Sequence, residues 1–352
     1  MSDSTVEARE DHDALPDIPS PAARSRLYGH AAQWAALVGA HRSGKLHHAW
    51  LLQGPRGIGK ATTAFAFARY LLSPQPAGEG AEPVADPQSA VARQIAGGGH
   101  PGLVHITRPA AERGGGFKTQ ITVEEIRKLN RFFRTTTGGG QWRIALIDPA
   151  DDMNRNAANA LLKILEEPPE RSIFLITNHL PGRLLPTIRS RCRVLRFDGL
   201  GADDMTAALQ SMPTTFGEAE IAGAIELAGG SVRNAVSLIA NGGLEIEAEI
   251  RRLYTADEPD WQAIQGLADL LTQKGRESAF DLMLEAVFKW IAHEAEARLA
   301  GSDRGTARRF AALWMEESQR LREGLAYNLD RKQMMVTLFA AVFRLRMTVA
   351  AG

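Results

Sequence analysis

Residues His47 to Leu72 read HHAWLLQGPRGIGKATTAFAFARYLL, and the fold is decided by how this stretch is parsed. A short apolar run, Ala49 to Leu52, breaks into the glycine-rich turn Gly54-Pro55-Arg56-Gly57-Ile58-Gly59-Lys60, and a helical pattern follows from Thr62. That order is strand, phosphate loop, helix. Glycines let backbone N–H groups turn inward, and the new helix adds its unpaired first-turn donors and positive dipole end, so together they hold phosphate oxygens. Lys60 is placed to reach the outer phosphates. The next residue, whose hydroxyl ordinarily touches Mg²⁺, is Ala61, with Thr62 and Thr63 one and two places on. A nucleotide site is therefore expected at Gly54, Gly57, Gly59 and Lys60, with Thr62 as the nearest substitute hydroxyl and an impaired grip on metal.

Composition bounds the rest. At 352 residues the chain is long enough for two or three domains. Lys plus Arg and Asp plus Glu both number 41, so no global field draws the molecule onto nucleic acid or an anionic membrane, and any such binding must be local. The single Cys192 excludes an internal disulfide and a multi-cysteine metal site, which suits a reducing cytosol. Residues 1–26 carry acids and prolines without an apolar centre, and the apolar run Val336 to Phe343 is too short for a membrane span. A soluble, cytoplasmic protein is expected.

Residues 1–23 have almost nothing to bury and are expected to be a disordered tail. Leu27, Trp34, Leu37 and Val38 recur at helical spacing before the phosphate-loop strand. The passage SPQPAGEGAEPVADPQ after Leu72 suggests a surface excursion. Leu103 to Thr107 alternate as a short strand, and a helix opens at Thr122. Arg143 to Ile147 is a strand ending in Asp148. Asn154 caps a helix with Ala158, Leu161, Leu162 and Leu165 on one face, stopped by Pro168-Pro169, and Ile173 to Ile176 is a further strand ending in Thr177-Asn178. Strands too apolar to have a wet face, alternating with helices, argue for a parallel sheet covered on both sides. From about Leu200 the strands stop. Short helices fill 201–242, and four longer amphipathic patterns follow at 260–273, 277–299, 306–328 and 331–349. The expected organisation is an α/β parallel-sheet phosphate-loop domain at 24–199, a small helical lid at 200–243 and an all-helical domain at 244–352.

Asp148, at the end of a buried strand, is placed to hold Mg²⁺. Its neighbour is Pro149, where a hydrolase would have a second carboxylate to orient water; Asp151 and Asp152 are near but off the strand end. Thr177 and Asn178 either contact a γ-phosphate from the strand end or serve as caps. Arg183, Arg189, Arg193 and Arg196 form a solvated basic edge around Ser190-Arg191-Cys192. Arg191 is singled out because a guanidinium offered across a subunit boundary to a γ-phosphate accelerates transfer by about 10³–10⁵. Arg233 either reaches back to bound phosphate or lies on the surface. His47 and His48 lack partners at metal-ligand spacing and are structural.

With these residues assembled, the chain resembles the clamp-loader subunits of the AAA+ class. The carriers are LYGH at 27–30, LHHAWLLQGPRGIGKAT at 46–62, GGHPGL at 98–103, ITVEEIRKL at 121–129, ALIDPADDMNRNAANALLKILEEPP at 145–169, LPTIRSRC at 185–192 and GGSVRNAVSL at 229–238. Ile147-Asp148-Pro149-Ala150-Asp151, in place of Asp-Glu, favours the weakly hydrolysing or non-hydrolysing branch over the ATP-cleaving gamma/tau branch. The resemblance implies that Lys60 and the loop glycines are Walker A positions, Asp148 the Walker B acid, Thr177-Asn178 the first sensor and Arg233 the second. Arg191 becomes an arginine given in trans to a gamma/tau ATP site. It further implies a stationary member of a hetero-oligomeric ring, joined to gamma/tau and delta subunits by a C-terminal collar of helices. That ring places the beta sliding clamp on primed DNA within a DNA-directed DNA polymerase holoenzyme. ATP, with Mg²⁺, is the implied cofactor. Many relatives carry a four-cysteine zinc module before Gly-His-Pro; that stretch has no cysteine here, so no zinc is expected. An active gamma/tau-like ATPase, with Thr62 or Asp151 replacing the missing groups, is the alternative.

Overall fold

Strands made almost wholly of apolar residues lose stability if one face stays wet, and the computed structural model covers them on both. It describes residues 12, 14–15, 18–73, 86–111, 116–134, 141–256 and 258–350. Strands β1 (Ala49–Gln53), β2 (Leu103–Ile106), β3 (Arg143–Ile147), β4 (Ser172–Asn178) and β5 (Arg193–Arg196) form one parallel sheet in the order β2-β3-β4-β1-β5. Every residue of the three inner strands is buried; the edge strands β2 and β5 are only partly so.

Side chains alternate between two apolar layers, as the two-residue period of a strand requires. Leu51, Ala145, Ile147, Phe174 and Ile176 belong to one layer, and Trp50, Leu52, Ile144, Leu146 and Leu175 to the other. Helices α1 (Ala31–Arg42), α2 (Lys60–Leu72) and α3 (Ala90–Ala96) contribute to the Trp50 layer through Leu37, Phe65, Phe67 and Ile95. On the Leu51 side lie α4 (Val123–Arg134), α5 (Arg155–Glu166) and α6 (Pro186–Arg189), through Ile126, Leu129, Leu161, Leu165 and Ile188. The α/β parallel-sheet class expected from the motifs is the observed fold.

Three readings need correction. Residues 18–23 are not a loose tail: the buried Arg69 guanidinium on α2 donates to Ala22 O at 2.9 Å and Arg24 O at 2.7 Å, and Ala22 packs on the Trp50 layer. A buried guanidinium needs acceptors, and this segment's carbonyls supply them. Burial brings Arg69 down to about 10. The remainder of the expected tail, 1–11, 13 and 16–17, lies outside the described residues, as does 74–85 of the expected excursion. Within that excursion's flank, α3 buries Ala92 and Ile95, with Ser89 Oγ capping Ala92 N at 3.2 Å. Arg193 and Arg196 are exposed as expected, but they bracket β5, a strand the sequence reading passed over because its inner pair, Val194 and Leu195, is so short.

Beyond the sheet come α7 (Ala202–Gln210), α8 (Glu218–Leu227), α9 (Val232–Ala240), α10 (Gly243–Thr255), α11 (Trp261–Leu271), α12 (Glu277–Ala300), α13 (Arg304–Ala326) and α14 (Arg331–Ala350). The last four match the expected patterns to within about two residues, the ordinary scatter of helix ends. Helix α10 was not anticipated, although Ile246, Ile250, Leu253 and Tyr254 lie buried at helical spacing. The chain divides into two compact units, Met1–Ala235 and Val236–Gly352, where the sequence suggested three ordered segments; α7 and α8 fall in the first. The second unit has its own core, in which Tyr254 stacks on Trp290 and Phe339 at 4.5 and 5.3 Å, and Phe280, Leu338 and Val342 belong to the same cluster. Among the described residues no helix is long and apolar enough to cross a membrane, and no group of three metal-ligating side chains is assembled.

Candidate functional site

The carboxyl ends of parallel strands are where an open α/β sheet presents its loops, and register decides which residues meet there. Leu52 pairs with Thr177, Gln53 with Asn178 and Ile147 with Ile176, so Gly54, Asp148, Thr177 and Asn178 leave the sheet side by side. Gly54 N donates to Asn178 O at 3.1 Å, and Gln53 Nε2 donates to Asn178 Oδ1 at 2.8 Å. A Cβ on Gly54 would lie 2.2 Å from Phe197 O, so only glycine fits between β1 and the end of β5. Gly57 and Gly59 have φ of 77° and 106°, the left-handed region that lets the loop curl around its own amides.

What the loop curls around is its own lysine. Lys60, 3% exposed, donates from Nζ to Gly54 O at 2.7 Å and to Pro55 O. Burial lowers its pKa to about 8, while Asp148 and Asp151 oppose the shift. From the other side, Ser231 Oγ and Arg233 Cβ lie 2.4 and 2.5 Å from where a Cβ on Gly57 would sit, and Arg233 N reaches Gly57 O at 3.4 Å. Arg233 is therefore a loop neighbour at the start of α9, half-buried, and not a remote surface arginine.

The acids are engaged as well. Thr177 Oγ1 donates to Asp148 Oδ1, and His105 Nε2 stands 3.9 Å from Asp148 Oδ2. Asp151 accepts His179 N at 2.6 Å, Leu180 N at 2.9 Å and Asn178 Nδ2 at 2.7 Å. A carboxylate bonded in this way fixes the turn after β4 and is not held ready to orient water. Asp152 pairs with Arg108 at 2.5 and 2.7 Å. Asp151 is thus engaged by the turn after β4, which speaks against its standing in for the missing carboxylate. Thr62 lies about 100° round the helix from Ala61, the position that lacks the hydroxyl, and Thr63 Oγ1 donates back to Gly59 O at 3.0 Å. The backbone loop keeps the form that holds phosphate, whereas the groups present do not fit Mg²⁺ handling or hydrolysis.

Arg191 stands elsewhere. It precedes β5, which runs parallel to β1 with Arg193 beside Trp50 and Arg196 beside Gln53. The level of Trp50 is four residues before Gly54, about 13 Å along a strand, and Arg191 is two residues further back. It cannot serve its own loop. Its side chain is 36% exposed, with Nη1 donating to Thr187 O at 3.1 Å and Nη2 to Glu166 Oε1 at 2.8 Å. Nothing in the sequence pattern marks Glu166 for this contact. Burial pushes the thiol of the neighbouring Cys192 up to about 12.

Residues 29–201, which include the phosphate loop, Asp148, Asp151 and Arg191, match the family described as DNA polymerase III, delta subunit. The DNA polymerase III subunit delta' of Pseudomonas aeruginosa is 40% identical over 161 residues, 46% of this chain and 45% of that protein. Over this region the chain is similar to the delta-prime subunits of DNA polymerase III. A second delta-prime relative, from Escherichia coli K12, is 28% identical over 230 residues, 65% of this chain and 66% of its own length. The match to the chain thus spans from about half to two thirds of these delta-prime relatives. A solved gamma subunit-related protein of DNA polymerase III from Thermotoga maritima aligns with a TM-score of 0.45 and 16% identity, over 86% of this chain and 97% of that one.

Proposed function

We propose that the chain is the stationary delta-prime subunit of a DNA polymerase III clamp loader. It joins gamma/tau and delta in a cytoplasmic hetero-oligomer that places the beta sliding clamp on primed DNA, hydrolyses ATP weakly or not at all, and offers Arg191 to a gamma/tau neighbour's ATP site. The observation that carries this reading is the placement of Arg191 at the opposite end of the sheet from its own loop, exposed and oriented. The second, all-helical unit is assigned the role of holding the ring. Should ATP enter the loop, the Gly57–Lys60 amides and Lys60 would take its phosphates, and Lys60 would first leave Gly54 O and Pro55 O.

The test is steady-state ATP hydrolysis by a complex assembled from this chain, gamma/tau and delta, with beta clamp and primed DNA. Arg191→Ala is expected to lower turnover at the served site by about 10³, and unchanged turnover would sink the reading. Robust hydrolysis by the isolated chain, lost with Lys60→Ala, would replace it with the gamma/tau-like ATPase. Against that alternative stand the engaged Asp151 and the missing hydroxyl at Ala61.

A further inference from the structure

Arg191 is exposed, yet two acceptors from two different elements hold it: Thr187 O in α6 and Glu166 Oε1 on the last residue of α5. The helix that carries Glu166 is anchored along its length. Asn154 Oδ1 caps Ala157 N at 2.9 Å, and Leu161 and Leu165 are fully packed in the Leu51 layer. Proline stops the chain soon after, at Pro168-Pro169. A guanidinium has five donors in one rigid plane, so two anchored donors fix that plane and leave three for phosphate oxygens. An untethered arginine would sample many rotamers and would have to be ordered at the moment of reaction.

We infer that Glu166 is a positioning residue for Arg191, holding the guanidinium in the orientation it presents to the neighbouring subunit's phosphate. The inference rests on the reading that Arg191 acts in trans. Both partners are solvent-exposed, 36% and 49%, so the pair is screened and its contribution is modest. Glu166 contributes to turnover only through Arg191.

The experiment uses the same assembled complex with beta clamp and primed DNA, titrated with ATP, and compares wild type, Glu166→Ala, Glu166→Gln, Arg191→Ala and the Glu166→Ala/Arg191→Ala double variant. Gel filtration establishes that each assembles. Glu166→Ala is expected to lower kcat about two- to fivefold with KM unchanged. Glu166→Gln should keep at least half of the wild-type rate, because its amide oxygen still accepts from Nη2. The double variant should match Arg191→Ala alone, the signature of two residues on one path. The inference is overturned if Arg191→Ala is slow while Glu166→Ala matches or exceeds wild type, or if the double variant is slower than Arg191→Ala. Wild-type turnover by Arg191→Ala instead takes down the trans-arginine reading, and the role of Glu166 falls with it.

Discussion

The two ends of the sheet treat charge in opposite ways. At the carboxyl end Lys60 is buried against the carbonyls of its own loop, Asp148 is met by Thr177, and Asp151 is closed by three donors from the β4 turn. At the amino end Arg191 is held by one exposed carboxylate and one carbonyl. Burial makes the difference. Removing a partner from a buried ionic group costs the desolvation of what remains, whereas an exposed pair exchanges partners for little. The first end ties its charges into the fold, and the second keeps a guanidinium at the surface.

This contrast can be broken or sharpened at four points. The largest expected effect is kinetic. Arg191→Ala should cost the assembled complex about 10³ in turnover at the site it serves, while the isolated chain should turn over ATP no faster than its Lys60→Ala variant.

Next is the buried lysine itself. Lys60 has a folded pKa of about 8 against 10.5 when unfolded, so between those values the unfolded chain binds more protons and stability rises with pH. The penalty for burying the ammonium is present in full below pH 8 and gone above 10.5. Urea denaturation across that window should show a gain of up to about 3 kcal/mol in wild type that Lys60→Met lacks.

Asp151→Ala should lower stability by about 2 kcal/mol by stranding the His179 and Leu180 amides, read as a drop in the urea midpoint. If stability holds and intrinsic hydrolysis falls, Asp151 belongs to chemistry after all. The smallest effect is at Arg193, whose guanidinium lies 4.9 Å from the Trp50 ring centre. Its replacement by Ala should cost about 0.5–1 kcal/mol and leave ATPase of the complex unchanged, separating it from Arg191 two residues away.

Much of this is legible in the amino-acid sequence. The phosphate loop, the buried strands and the helices of the C-terminal third announce themselves through local periodicity and punctuation, which depend on neighbours within one or two turns. Helix α10 was missed although Ile246, Ile250, Leu253 and Tyr254 carry its period, because the acidic residues between them thin the apolar signal. β5 was missed because two half-buried residues between arginines are too few to show alternation.

The sequence by itself determined the strand, loop and helix order, the loss of the hydroxyl at Ala61 and of the second acid at Pro149, and the presence of Arg191 in a basic run. Only the tertiary structure decided what those charges do. Asp151 meets amides 28 and 29 residues away, Lys60 closes on its own loop beneath Ser231 and Arg233, and strand register puts Arg191 at the far end from Gly54. The reason is that a charged side chain's role depends on its desolvation and its partners, and both are set by segments far apart in the chain.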